Sequence, residues 1–383
     1  MTHPFTASIL DVLEKHFGDS AKTVFELSPL IGYINQKTRS ANRGSKSRSS
    51  FANLYALYVL IEDYLNHGFD KKPRYGEYEG ADFSPLLKRM RELPFGQKLQ
   101  NHALNNRANE EFHKYYPEDA RRPILRKVDL QKYWINESLL YVTISGTKHN
   151  IARAVQDIIQ AYVETKRQSF EQFIKDCEVL KKASETRDES LIAFIRSLIA
   201  PERDARVFEI VSYSLLRSFY AEDVVFIGTT AQSVRPENLR LYKTGRTNAN
   251  DGGIDFVMKP LGRFFQVTET LDVKKYFLDI DKIERYPISF VVKTGMSVAD
   301  IKAHLEAGAR EQYAVEAVVK KYMESIEEVI NVPVLLTIFD RVVKSGHVHD
   351  VLDEIIRWSK VEFNYMETNG TDAGSVADDD EDE

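Results

Sequence analysis

Two short apolar segments that carry polar residues at defined positions are the part of this sequence best suited to chemistry. Segment 251–259 begins Asp-Gly-Gly-Ile-Asp, and segment 263–269 has the sequence Arg-Phe-Phe-Gln-Val-Thr-Glu. Pro and Gly at 260–262 predict a tight turn, so the two segments are expected to form a β-hairpin. Asp255 would lie at the mouth of the first strand and Gln266 inside the second. A carboxylate beside an amide oxygen can hold a hard divalent cation such as Mg2+, which predicts a metal-dependent phosphodiesterase.

The alternation of side chains along a strand predicts which residues of this hairpin share a face. Gln266 and Thr268 should point to one side of the sheet. Phe265, Val267 and Glu269 should point to the other. Any site built on Gln266 is therefore expected to include Thr268.

The hairpin resembles the PD-(D/E)XK nuclease superfamily, and in particular type II and Mrr-like restriction endonucleases. The resemblance is carried by Asp-Gly-Gly-Ile-Asp255 and by Gln266-x-x on the next strand. It implies that Asp255 and Gln266 bind Mg2+ and act in catalysis. It also implies that a lysine two residues after Gln266 orients the attacking water, and this sequence has Thr268 at that position.

The threonine is the main departure from the family pattern. Phosphodiester hydrolysis needs a group that polarises or positions water, and Thr268 cannot do this as a lysine would. Glu269 is adjacent but on the opposite strand face, and Lys274 and Lys275 follow a few residues later. Either one of these takes the role of the lysine, or the chain is a weakened nuclease.

The segments on either side of the hairpin predict a mixed α/β fold. A helix is expected at 201–219, with Pro201 in its first turn, and the resemblance implies that Glu209 on this helix faces the metal. The other predicted elements follow in chain order: a strand at 224–228, a polar loop at 229–250, a charged helix at 272–285, a strand at 288–292, a long amphipathic helix at 298–329 and a last strand at 332–339. Together they predict a restriction-endonuclease-like α/β core, in which helices flank a central mixed sheet.

The first half of the chain is expected to be mostly α-helical and to recognise DNA. An apolar segment at 51–65 predicts a buried helix. The basic, hydroxyl-rich segment 37–50 has the groups that contact phosphates, although a solvated basic loop has the same composition. Segment 95–110 is rich in Asn and Gln, which can pair with adenine, although a polar surface helix is the alternative. The candidate DNA-binding residues are Arg39, Arg43, Lys46, Arg48, Gln97, Asn101, Asn105 and Arg107, together with Lys243 and Arg246 from the basic loop before the hairpin.

A polar joint at 184–190 follows a predicted long helix at 150–183, and it is the expected domain boundary. The prediction is a helical DNA-recognition domain at 1–185, a PD-(D/E)XK-like nuclease domain at 186–365 and a disordered acidic tail at 366–383. The net charge of −6 includes seven acidic groups and no basic group within 372–383. The tail is expected to be solubilising, and a DNA mimic that damps nonspecific binding is the alternative.

Composition narrows the class of protein. A single cysteine, Cys177, excludes a disulfide framework and a multi-cysteine zinc site. No apolar run reaches the length of a membrane span, and the first residues do not resemble a signal peptide. A cytoplasmic protein that does not enter membranes is therefore expected.

These observations predict a type II-like restriction endonuclease that hydrolyses double-stranded DNA at a specific sequence with Mg2+. Palindromic sites require two active centres in two-fold relation, so the resemblance and symmetry together imply a homodimer. A cognate DNA methyltransferase is the expected partner in the cell. The alternatives are a DNA-binding protein on a nuclease-like scaffold that does not cut, and a subunit of a multi-protein defence system.

Overall fold

The structure, a computed structural model, describes residues 2–39, 47–72, 74–96, 99–183, 188–201, 203–244 and 254–363. Helices and strands occur in both halves of the chain, which confirms the mixed α/β class. The helices are α1 (Pro4–Phe17), α2 (Ala21–Leu27), α3 (Pro29–Lys37), α4 (Ser47–Asn66), α5 (Phe83–Glu92), α6 (Ala108–Tyr115), α7 (Ala152–Ala183), α8 (Asp188–Leu198), α9 (Ala205–Tyr220), α10 (Val273–Lys282), α11 (Val298–Gln312), α12 (Glu316–Glu324), α13 (Val332–Lys344) and α14 (Val348–Phe363). The strands are β1 (Ala81–Asp82), β2 (Ile124–Lys127), β3 (Lys132–Ile135), β4 (Tyr141–Ile144), β5 (Thr147–Asn150), β6 (Val224–Ile227), β7 (Arg235–Asn238), β8 (Arg240–Lys243), β9 (Phe256–Lys259), β10 (Arg263–Thr268), β11 (Ile288–Val292) and β12 (Ile326–Asn331).

A helical core built around α4 occupies the N-terminal part of the chain. The side chains of Leu54, Leu57 and Ile61 on α4 are fully buried, and the helix packs against α5 and α7. The buried helix predicted for this segment is therefore confirmed. Strands β1, β3 and β2 form a small antiparallel sheet, and β4 pairs with β5. The sequence did not predict these strands, because elements of two to four residues are too short to show a period.

A five-stranded mixed sheet in the order β12-β11-β10-β9-β8 organises the C-terminal part. Strands β8, β9 and β10 are antiparallel neighbours, whereas β10, β11 and β12 run parallel. Helix α10 connects β10 to β11, and α11 with α12 connects β11 to β12. The predicted hairpin is thus confirmed as β9 and β10, joined by a turn at 260–262.

Helices cover both faces of this sheet, and the strand register decides which residues face which helices. Phe265 and Val267 face the apolar cluster that contains side chains of α9, α13 and α14. Gln266 is opposite Phe290 on β11, whose ring lies in the cluster with side chains of α10, α11 and α12. Thr268 shares that face. The predicted alternation of side chains along β10 is confirmed.

The strand predicted at 332–339 was wrong, because this segment is the start of helix α13. The Asn331 side chain accepts a hydrogen bond from the backbone N–H of Val334 (2.9 Å), and Pro333 lies in the first turn. Both features start helices. The last strand, β12, is the segment immediately before it. A continuous apolar run does not by itself distinguish a buried strand from a buried helix.

Three further predictions were wrong in their extent. The single helix expected at 298–329 is divided into α11 and α12, and its last residues belong to β12. The loop expected at 229–250 contains strands β7 and β8 within its described part. The helix expected from Pro201 begins at Ala205, where the Asp204 side chain caps it by accepting from the N–H of Arg206 (2.7 Å).

Three hydrophobic clusters make up the interior of the described chain. One extends from Phe5 to Tyr162, and the other two, on the two faces of the five-stranded sheet, lie between Cys177 and Ile355. Helix α7 contributes its N-terminal half to the first cluster and its C-terminal end to the second. The boundary predicted near residue 185 follows the end of α7, and 184–187 lie outside the described residues, as does the acidic tail after 363. The division into domains stays a prediction.

No helix among the described residues combines the length and apolar character that crossing a membrane requires.

Candidate active site

The carboxylate of Asp255 is held at the start of β9. The backbone N–H of Asp255 donates to the carbonyl of Phe265 (3.1 Å), and its own Oδ2 accepts from the backbone N–H of Val267 (2.7 Å). Burial raises the pKa of this carboxyl well above its ordinary value, and the nearby carboxylate of Glu209 raises it further. The Val267 N–H and the positive charges of Lys243 and Lys275 act in the opposite direction.

Glu209 reaches this place from helix α9, which packs directly on β8. The hydroxyl of Tyr213, one turn after Glu209, donates to the carbonyl of Leu241 on β8 (3.1 Å). This contact fixes the helix on the strand. Glu209 Oε1 accepts a hydrogen bond from Lys243 Nζ at 2.7 Å.

Lys243 is a buried cation of the site, although the sequence predicted it as a DNA contact in a loop. Its side chain is only 9% exposed, and its ammonium group lies over the rings of Phe256 (6.0 Å) and Trp358 (5.6 Å). Strand β8 continues toward Asp255, because the N–H of Thr244 donates to the Asp255 carbonyl (3.1 Å). Glu209 on α9, Lys243 on β8 and Asp255 directly before β9 therefore form a cluster of ionisable side chains.

Gln266 lies in the interior of β10 with an unsatisfied acceptor. The residue is 7% exposed, and its Oε1 has no hydrogen-bond partner among the described residues. Its Nε2 makes only a long contact, 3.5 Å, with the carbonyl of Val267. A buried polar atom without a partner costs about 1–3 kcal/mol. A ligand that donates a hydrogen bond to this amide oxygen, or a cation that binds it, would remove this cost.

Thr268, at the position where the resemblance implies a lysine, uses its hydroxyl inside the protein. The residue is buried, and its Oγ1 donates to the carbonyl of Thr270 (3.0 Å). Its side chain lies beside that of Tyr276 on α10 and acts to lower the pKa of the Tyr276 hydroxyl, against the larger effect of burial. Thr268 thus faces α10, whereas Lys243 faces α9.

A second buried lysine, which the sequence analysis missed, lies at the end of β11. Lys293 Nζ pairs with Glu269 Oε1 at 2.8 Å, and its backbone N–H donates to the Thr268 carbonyl (2.9 Å). The available signal was a charged residue directly after the apolar run 288–292. Of the residues considered as substitutes for the family lysine, Glu269 is engaged in this pair and Lys274 and Lys275 are exposed on α10.

The oxygen donors that could hold a metal are few. Among the described residues, no group of three or more His, Cys, Asp or Glu side chains is arranged to hold a metal ion. The set considered for Mg2+ thus consists of the carboxylates of Asp255 and Glu209 and the amide oxygen of Gln266. Hard oxygen ligands of this kind fit Mg2+, which also keeps several waters of its own.

Two of the four predicted base-reading residues, Asn105 and Arg107, make contacts within the protein. Asn105 Oδ1 accepts from the hydroxyl of Tyr133 (2.9 Å). Arg107 pairs with Glu111 (3.1 Å). Asn101 is exposed, and Gln97 lies outside the described residues.

The predicted phosphate-binding residues are described only in part. Arg39 is exposed directly after α3. Arg48 lies in the first turn of α4, and its side chain is outside the described part. Arg43, Lys46 and Arg246 also lie outside it.

Comparison of the chain with protein-family models, with curated proteins and with solved structures gives no match.

Proposed function

We propose that this chain is a Mg2+-dependent, sequence-specific endonuclease of double-stranded DNA with a restriction-endonuclease-like core. The observation that carries the proposal is the contact of Glu209 with the buried ammonium group of Lys243 (2.7 Å), both close enough to Asp255 to affect the pKa of its carboxyl. Two carboxylates close together in a partly buried position repel each other, and a bound cation relieves this repulsion. The unsatisfied Oε1 of Gln266 lies on the adjacent strand but on the sheet face toward α10, so it does not add to the oxygen donors beside Glu209.

The order of elements supports the same proposal. Helix α9 with Glu209 precedes three antiparallel strands, β8, β9 and β10, and α10 then leads to β11 beside β10. Asp255 and Gln266 lie on the two strands of the hairpin. The resemblance to PD-(D/E)XK nucleases implies this order of elements: a helix, a sheet that bears the hairpin, a second helix and a returning strand.

Each residue then has a distinct role in hydrolysis. Asp255 and Glu209 would hold Mg2+, which would supply Lewis-acid stabilisation of the charge on the scissile phosphate. Gln266 faces α10 on the other side of the sheet from Glu209, so we do not assign it to this ion. Lys243 is the group we assign to the role of the missing lysine, because its ammonium contacts Glu209, acts on the Asp255 carboxyl through its charge and can orient a water molecule. Water adds to phosphorus, the bond to the 3′ oxygen breaks, and a proton from the water ends on that oxygen.

Incubation of the protein with unmethylated plasmid DNA, with and without Mg2+, tests the proposal. We expect discrete fragments only with Mg2+, and none from Asp255→Ala, because that variant lacks a ligand carboxylate. Asp340→Ala is the matched control, since Asp340 is an exposed carboxylate paired with Arg196, and it should cut as the wild type does. DNA binding without cutting, unchanged by Asp255→Ala, would refute the nuclease proposal.

The alternative is a DNA-binding protein that does not cut, and one observation favours it. The hydroxyl of Thr268 donates a hydrogen bond to the carbonyl of Thr270, so the residue at the position of the expected lysine supplies no group to position water. If Lys243 serves only to neutralise Glu209, no group remains to position water. The plasmid experiment separates the two functions.

The homodimer and the cognate methyltransferase follow from this proposal. Two copies in two-fold relation would place one active centre on each strand of a palindromic site. A methyltransferase of the same specificity would protect the DNA of the host.

A further inference from the structure

The hairpin of β2 and β3 carries an unusual combination of groups at its tip. We use the name basic hairpin for residues 121–134. Its base is firmly attached, because the Asn109 side chain bonds both the N–H (2.9 Å) and the carbonyl (2.8 Å) of Ile124. The indole of Trp134 donates to the carbonyl of Tyr78 (2.9 Å). The hairpin is therefore held at its base and exposes its tip.

Apolar side chains lie at the tip, where a surface turn normally has polar ones. Val128 and Leu130, in the turn between the strands, are 64% and 63% exposed. Leu125 on β2 is also exposed. These residues make no contribution to the core of the described chain. Their exposure indicates a surface that becomes buried against a partner.

Positive charges surround this apolar tip. The basic hairpin has five Lys or Arg residues and one acidic residue, Asp129. Arg122, Arg126 and Lys127 have no carboxylate partner among the described residues. Lys127 lies directly opposite Lys132 across the two strands. Like charges in this position destabilise a hairpin unless a negatively charged partner lies between them.

Only one of these two opposed lysines has a counter-ion within the described part of the protein. Lys132 pairs with Asp82 at 2.9 Å. Lys127 instead lies over the ring of Trp134, at 5.8 Å from its centroid. The charge of Lys127 thus stays available to an anion that approaches the tip.

We propose that the basic hairpin binds duplex DNA, with Arg122, Arg126 and Lys127 on the phosphates and Val128 and Leu130 inserted into the minor groove. Apolar side chains that enter the minor groove wedge between base steps and bend the duplex, and flanking cations hold the two backbones. The inference rests on the proposed function only in taking DNA as the substrate. It adds a DNA contact on an element other than those that carry the candidate active site.

An anionic membrane is the other surface that would accept basic and apolar groups together. Membrane-inserting tips place Trp and Tyr at the level of the headgroups. The turn at 128–130 has no aromatic residue, and the indole N–H of Trp134 is bonded at the base of the hairpin. Three exposed cations on the β2 side, Arg122, Arg126 and Lys127, lie behind a narrow apolar tip, which matches a phosphate backbone that borders a minor groove. These features favour DNA.

The test uses full-length protein, a fluorescent 30-base-pair duplex and a buffer with EDTA, so that no cleavage occurs. Arg126→Gln/Lys127→Gln should weaken binding at least about ten-fold at low salt. The same variant should reduce the slope of log K against log[salt] by about 1.8, because each cation that no longer neutralises a phosphate removes about 0.9 from it. Val128→Ser/Leu130→Ser should weaken binding without changing that slope. It should also abolish the bending of a duplex labelled at both ends for energy transfer.

Two matched controls, and one variant that is expected to strengthen binding, complete the design. Val179→Ser on α7 and Lys320→Gln on α12 change equally exposed residues far from the hairpin in sequence, and both should bind DNA as the wild type does. Asp129→Asn removes the one acidic group of the tip and should tighten binding. All variants should keep the wild-type melting temperature, because the altered side chains are exposed.

The outcomes distinguish this inference from the nuclease proposal. If both hairpin variants bind and bend DNA as the wild type does, the inference is overturned, even where Mg2+-dependent cutting is observed. Hairpin variants that lose binding to anionic vesicles but keep binding to DNA also overturn it, in favour of a membrane. Binding that depends on the hairpin, together with no cutting by the wild type, refutes the nuclease and leaves the inference standing.

Discussion

At the scale of single residues, the proposed nuclease site depends on a lysine from a different strand than the resemblance to PD-(D/E)XK nucleases implies. Thr268 has its hydroxyl bonded inside the protein, whereas Lys243 holds its ammonium 2.7 Å from Glu209. The two residues are 25 positions apart, and only the pairing of β8 with β9 brings Lys243 to Asp255. A cation can therefore be present at the site although the usual position lacks one.

The role assigned to Lys243 predicts a graded loss of cleavage. Lys243→Met removes the charge and should lower the cleavage rate by a factor of about 10²–10⁴, the usual contribution of a group that positions or transfers a proton. Lys243→Arg keeps the charge on a planar group of different shape and should lose less. Single-turnover cleavage of a plasmid measures both, and DNA binding in EDTA should stay at the wild-type level.

The second buried lysine provides the control for this prediction. Lys293→Met combined with Glu269→Gln removes the other buried pair without leaving a lone charge. We expect this double variant to cut within a few-fold of the wild type. If instead it loses cleavage while Lys243→Met cuts normally, the water-positioning role belongs to Lys293.

At the scale of elements, local signals predicted the hairpin but not the segment after β12. Pro260 and Gly262 between two apolar runs are a local turn signal, and β9 and β10 formed as predicted. The apolar run 332–339 has no such internal signal, and its helical state depends on Asn331 and Pro333 at its start. The placement of Glu209 against Lys243 was beyond prediction from sequence, because it arises from the packing of α9 on β8.

The cap of α13 predicts a loss of stability that does not depend on function. Asn331 caps the helix through Val334, and its Nδ2 also donates to the carbonyl of Met296 (2.6 Å). Asn331→Ala should lower the free energy of unfolding by about 2 kcal/mol, about half from the cap and half from the lost hydrogen bond to the Met296 carbonyl. Urea denaturation followed by circular dichroism measures the loss.

Two comparison variants show whether the cap is responsible. Asn331→Ser keeps a capping oxygen and should lose only about 1 kcal/mol. Thr337→Ala, at an exposed position of α13 where the hydroxyl bonds the Pro333 carbonyl, should change stability by less than about 0.5 kcal/mol. Equal stability of Asn331→Ala and the wild type would mean that packing alone starts this helix.

At the scale of the whole molecule, helix α7 is the element shared by the two parts of the interior. Ile158, Ile159 and Tyr162 belong to the N-terminal cluster, whereas Cys177 belongs to a cluster on the five-stranded sheet. We expect a helix that is buried at both ends to couple the unfolding of one cluster to that of the other.

Arg167→Pro tests this coupling. Arg167 is an exposed residue of α7 between the two buried ends, and it pairs with Glu164 (2.9 Å) and Glu171 (3.8 Å). Proline within a helix removes a backbone hydrogen bond and breaks the helix at a cost of about 3 kcal/mol or more. We expect the wild type to unfold in one calorimetric transition and Arg167→Pro in two, one for each part of the interior. Arg167→Ala removes the same ion pairs while keeping the helix, and it should unfold in one transition. A single transition in the proline variant would show that contacts other than α7 couple the two parts, and two transitions in the wild type would show that the parts are independent.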